Sequence, residues 1–293
     1  MRNKRTWQIF LLSIAIFAAL SHFLPIFRDI TELLSLALSV TSILFGLLIG
    51  FFITQMWNKF TAVRRESAIF RSALLGMITN MRRLEGNDKV KEEFENRMEK
   101  FLIAFTMISW DSVEEEERYF EVVTNTISDV TLFNDRDSSI YTQLLDAESS
   151  AGSARSQLSS IGKEGLMKLE WAVLIILSSI ITVSVLLLRD GSLFFQTLSS
   201  LLPPLLLLTM MMLDDLDHLR WGATIVSFEP AQEALEAINK QRFYESRYIE
   251  KGWVEEPETY RTEKDLEGDL KDVYDELKLK DCLREDGILG PKL

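Results

Sequence analysis

Residues 33–57 pass without a single charged side chain, and that run limits what the chain can fold into. A helix crosses the hydrocarbon core of a bilayer with roughly 20 apolar residues, so this run is long enough to span at a tilt. It contains a Gly-x-x-x-Gly pair, Gly46 and Gly50, and it closes on Thr54, Trp57, Asn58 and Phe60. A second apolar block covers residues 169–213. The 293-residue chain is 47% hydrophobic and 26% charged, but most charges lie between and after these blocks. Such segregation marks a membrane protein with a water-facing portion, because a soluble domain spreads its apolar residues along every element.

The formal net charge of -12 argues against nucleic acid as a partner, since no basic patch is dense enough to neutralise a phosphate track. One cysteine, Cys282, excludes an internal disulfide and any cysteine-rich metal centre. The two histidines, His22 and His218, are far apart in sequence and read as residues at span ends.

Four spans fit the pattern, over residues 7–27, 31–57, 169–188 and 193–213. The basic start of the chain resembles a signal peptide, yet the apolar part runs past a usual signal core, so the first span is read as retained. Lys and Arg cluster before the first span, after the second and before the third, while the turns at residues 27–29 and 189–191 hold one arginine each. By the positive-inside rule both hairpins dip in from the cytoplasm, with N- and C-termini cytoplasmic. Pro203 and Pro204 fall mid-way along the fourth span, where each removes an N–H and kinks or breaks the helix. Two outcomes stay open there, a kink packed on a neighbour or a break lining a cavity.

The division expected is a first hairpin over 1–57, a cytoplasmic helical region over 58–168, a second hairpin over 169–213 and a cytoplasmic, acidic C-terminal region over 214–293. Val90, Phe94, Met98, Phe101, Leu102 and Phe105 recur at three and four residues, predicting an amphipathic helix over 89–108. A second helix is predicted over 114–132, with Asn134 to Asp137 as a turn or cap. The serine-rich stretch 149–160 reads equally as a loop or a tightly packed helix. Residues 223–228 look strand-like; Pro230 then opens a helix of about 20 residues that Gly252 ends. Beyond lies an exposed helix and a loose tail.

No phosphate loop, nucleophile elbow, catalytic triad order or metal-spaced histidine pair is present, so no enzyme activity is expected. The spans hold essentially no ionisable group apart from His22 and Glu32 at their edges, unlike a proton-coupled transporter. The run from Ile43 and Gly46 through Thr54, Trp57, Asn58, Phe60, Val63 and Arg64 resembles the pore-lining second helix of bestrophin channels. Asp214, Asp215 and Asp217, followed by Phe228, Glu229 and Pro230, resemble the return from their fourth helix. The order and spacing of all four spans match as well. The chain is thus similar to the prokaryotic bestrophin-like family, a domain of unknown function, and the fold class implied is an all-α membrane protein.

That resemblance implies a homo-oligomer, a pentamer, with five second helices around one pore and an apolar neck at Ser39, Ile43 and Leu47. Spacing of four residues puts these three on one helix face. Bestrophin necks carry larger residues here, while Phe45, Phe51 and Phe52 are expected on other faces, so either the neck is wider or another face points inward. The competing use of Gly46 and Gly50 is to let neighbouring helices approach closely. The resemblance also implies calcium at Asp214, Asp215 and Asp217. Calcium takes about six to eight oxygens, so carbonyls or water must complete the shell, and Arg220 competes for the same carboxylates. The expected function is a channel for small ions in the cell membrane. The alternatives are a non-conducting membrane scaffold or sensor and, less supported, a small-solute transporter.

Overall fold

The computed structural model describes residues 2–23, 31–107, 113–188, 192–217, 223–250 and 259–285. The turns at 27–29 and 189–191, His218, Arg220, Gly252 and the last residues of the tail lie outside them. Most of the described residues are helical: α1 (Arg2–Phe23), α2 (Thr31–Arg83), α3 (Asp88–Met107), α4 (Val113–Ser128), α5 (Asp135–Lys163), α6 (Lys168–Leu187), α7 (Leu193–Asp217), α8 (Ala223–Ala237), α9 (Ser246–Glu250) and α10 (Asp269–Glu285). A 3₁₀ turn over Glu263–Asp265 and one isolated parallel bridge between Phe243 and Arg261 complete the inventory. α2 does not stop at Trp57 but continues as one helix of 53 residues, because no proline or glycine breaks the chain after Gly50 until Gly76.

The chain forms two compact units. The first contains residues 1–60 and 165–221. Among the described residues three helices, α2, α6 and α7, are long and apolar enough to cross a membrane. Of the first expected span, 7–27, the described apolar stretch is Trp7–Leu20, and residues 24–27 of that span lie outside the described residues. α1 lies along α7, and each helix holds a buried serine, Ser13 in α1 and Ser199 in α7. α7 passes through Pro203 and Pro204 without ending, and both rings are buried, which favours the packed arrangement over a break lining a cavity. The core of this unit joins Phe45, Ile49, Phe52 and Met56 of α2 to Leu174, Ile181 and Val185 of α6 and to Leu213 and Leu216 of α7. Among lipid tails such contacts stabilise by dispersion and fit rather than by leaving water.

The second unit contains residues 61–164 and 222–293. α3 packs against α4, α8 and α10, burying Phe94, Met98, Phe101 and Leu102 as its periodicity predicted. Asn134 caps α5 by accepting the Asp137 N–H at 2.8 Å. The serine-rich stretch resolves as the second half of α5, with Ala151, Ala154, Arg155 and Leu158 buried.

Four expectations fail near the C-terminus. Residues 223–228 are helical, with Pro230 inside α8 rather than at its start, since a short β-branched run is a weak prior against its context. The helix ends at Ala237, not near Gly252. Asn239 takes the left-handed backbone (φ 59°), and its N–H and that of Lys240 close back on the Glu236 and Leu235 carbonyls, both at 2.9 Å. This is a Schellman termination, which asparagine tolerates because its side chain eases the αL penalty. α10 is docked rather than exposed throughout: Val273, Tyr274 and Leu277 are buried, and Asp269 bonds Lys100 of α3 at 2.7 Å. Glu99, buried on α3, faces Lys240 at 2.9 Å and Arg261 at 2.7 Å. Arg242 hydrogen-bonds Glu236 and so holds its carboxyl below the usual range.

Candidate functional site

Helical geometry of 3.6 residues per turn gives α2 two distinct sides within the first unit. One side carries Phe45, Ile49, Phe52 and Met56, all buried in the core just described. Nearly opposite stand Ile43 and Leu47, 64% and 67% exposed, with Ser39 exposed one turn earlier. The three residues of the expected neck therefore share the face that the chain's own packing leaves uncovered. Leu36, Val40 and Phe51 belong to the same uncovered side. Phe51 was expected on another face, but it follows Leu47 by four residues and is 63% exposed. Only Phe45 and Phe52 turn into the core.

This face is uncharged. The Ser39 hydroxyl donates to the Ser35 carbonyl at 2.8 Å, and the Thr54 hydroxyl to the Gly50 carbonyl at 2.9 Å. Both hydroxyl hydrogens are spent on the helix itself, leaving oxygen lone pairs outward. A Cβ added at Gly46 or Gly50 would meet nothing within 4 Å. Among the described residues no helix of the same unit uses these glycines for close approach. Trp57 is half-exposed and stacks at a tilt on Phe60, ring centres 5.7 Å apart, with Asn58 exposed beside them.

The acidic corner at the end of α7 is arranged differently from the expectation. Asp217 is 8% exposed, and each carboxylate oxygen accepts a hydrogen bond from the start of α6. Oδ1 takes the Leu166 N–H at 2.9 Å and Oδ2 takes the Trp171 indole N–H at 3.2 Å. Its backbone carbonyl accepts the Lys59 ammonium of α2 at 2.9 Å, and Lys59 is itself only 7% exposed. Gly165 lies so close that an added Cβ would stand 3.2 Å from Asp217 Oδ1. Asp214 and Asp215 are half-buried and engaged in contacts of their own. Among the described residues no group of three acidic, histidine or cysteine side chains converges as a metal shell would require. The three aspartates thus do not fit a calcium ion in this arrangement: both Asp217 oxygens already accept hydrogen bonds, and the three do not form one group.

Sequence reasoning missed Lys59, Gly165 and Trp171. A signal for Lys59 exists: it sits three residues after Met56 and four before Val63, on the buried stripe of α2, where a charge is out of place unless something receives it. Nothing marked Trp171, whose partner is distant in sequence.

Between α1 and α7 a cavity of about 390 Å³ is lined by His22, Gln196, Thr197 and Ser200 with alanine and leucine walls. The proline pair does not line it.

A family model described as Bestrophin-like domain matches residues 7–214. Comparison with curated proteins and with solved structures finds no match.

Proposed function

Because this chain belongs to the bestrophin-like domain family, we propose that it is an oligomeric ion channel of the cell membrane, with copies of α2 standing around one shared axis. The carrying observation is the side of α2 that bears Ser39, Ile43 and Leu47: it is apolar, uncharged and turned away from the subunit's own core. A ring of such faces makes a constriction that passes ions by wetting and closes by dewetting, with no titratable group required. Gly46 and Gly50, open on the same side of the helix, are where a second copy approaches. The assembly is a homopentamer, α1 is the fourth membrane-crossing helix, and the termini are cytoplasmic. The protein performs no catalysis.

Flux through liposomes containing the purified protein tests the reading. Unaltered protein is expected to pass small ions, and the pair Ile43→Ala with Leu47→Ala to change that flux severalfold while leaving assembly intact. Flux that is absent in the unaltered protein, under gradients of either ion sign, overturns the channel and leaves a non-conducting membrane scaffold. Flux unchanged in the double variant removes these residues from the conduction path.

A further inference from the structure

The corner where α2, α6 and α7 meet holds two buried charges that the conduction face does not use. Lys59 is 7% exposed and Asp217 8% exposed. Burying an ammonium is costly unless strong acceptors receive it. Here it meets the carbonyl of the last residue of α7, at 2.9 Å, where the helix presents its negative dipole end. The Asp217 carboxylate is satisfied from the other side by the Leu166 N–H and the Trp171 indole, and glycine suits position 165 because a Cβ there would stand 3.2 Å from Oδ1. Three helices are thereby fastened through one residue. Negative charge gathers at this helix end, with Asp214, Asp215 and Asp217 in sequence, and a cation is the group such an end calls for. Lys59 supplies one covalently.

We propose that Lys59 is the resident cation of this corner, doing structurally what a divalent ion would otherwise do, so that the corner takes up no calcium. This concerns Lys59 and Asp217 alone and stands whether or not the protein conducts. Its role is to position the end of α7 against α2, one turn below Met56 and the apolar core that orients the exposed face.

The test uses the full chain purified in detergent, followed by thermal unfolding and by titration with calcium chloride. Lys59→Gln keeps a hydrogen-bond donor and removes the charge; Lys59→Arg keeps both. The expected result is a melting temperature lowered by several degrees in Lys59→Gln, largely retained in Lys59→Arg, and unmoved by millimolar calcium in the unaltered protein. Asp217→Asn is expected to fall as Lys59→Gln does. A Lys59→Gln protein as stable as the unaltered one overturns the proposal, because a charge-free donor then suffices. So does a calcium-dependent rise in the melting temperature of the unaltered protein. Should Lys59→Gln fail to accumulate, the calcium titration of the unaltered protein and the stability of Lys59→Arg decide the matter. None of these measurements reads flux, so a non-conducting protein leaves them intact.

Discussion

Gly86 has φ of +64°, and a Cβ built there would come within 2.8 Å of the Phe133 ring. Two separate penalties follow from one added methyl: the left-handed backbone, worth roughly 1–2 kcal/mol for an ordinary residue, and a steric push on the aromatic ring. Gly86→Ala is expected to destabilise the protein by at least the first amount in chemical denaturation. Adding Phe133→Ala is expected to recover only the steric part. Full recovery in the double variant would show that the backbone carries no strain. The surroundings are pinned by Asn87, which donates to the Glu85 and Thr131 carbonyls and accepts the Thr131 N–H. Asp137, fully buried, accepts the Glu85 and Phe133 N–H groups. Residues such as Asn134 were legible, because a short polar side chain before a helix has one common use. Asp217 was not. A carboxylate reads the same in sequence whether it waits for a metal or already holds an indole and an amide from residues some fifty positions away.

α2 is the element whose two sides differ most in consequence. Phe52→Ala removes a ring from the packed side, where Phe52 is 6% exposed, and is expected to cost about 3–5 kcal/mol. Leu47→Ala, on the uncovered side, is expected to change the stability of the single subunit by under about 0.5 kcal/mol. Melting temperatures in a detergent that keeps single chains apart would check the contrast. Equal losses from both would mean that Leu47 is packed within its own subunit. The periodicity of α3 was readable because a half-buried helix in water must keep one side apolar. The sides of α2 were not, since every position in residues 33–57 satisfies lipid and the pattern carries no contrast. The same reason explains the misassigned face of Phe51. Serine is equally at home in loops and between close helices, so residues 149–160 stayed undecided until α5 showed buried alanines at helical spacing.

For the whole molecule, the decisive quantity is how many copies assemble and by which surface. Gly50→Leu adds a bulky side chain where the subunit has open space, so each subunit is expected to fold unchanged. The proposed assembly depends on that space being filled by a neighbour. Light scattering of the purified variant is therefore expected to show a smaller particle than the unaltered protein gives. An unchanged mass would place Gly50 toward lipid and move the axis to another face. Amino-acid order alone determined that this chain carries helices apolar enough for a membrane, that its charges gather in other segments, and that it resembles one family of membrane proteins. Those properties follow from transfer of side chains and backbone between water and hydrocarbon, which each segment undergoes by itself. Packing alone decided that α1 lies along α7 and that Lys59 and Asp217 are buried together. These depend on which distant surfaces fit, and lipid, being as apolar as the side chains, imposes no pattern from which that fit can be read.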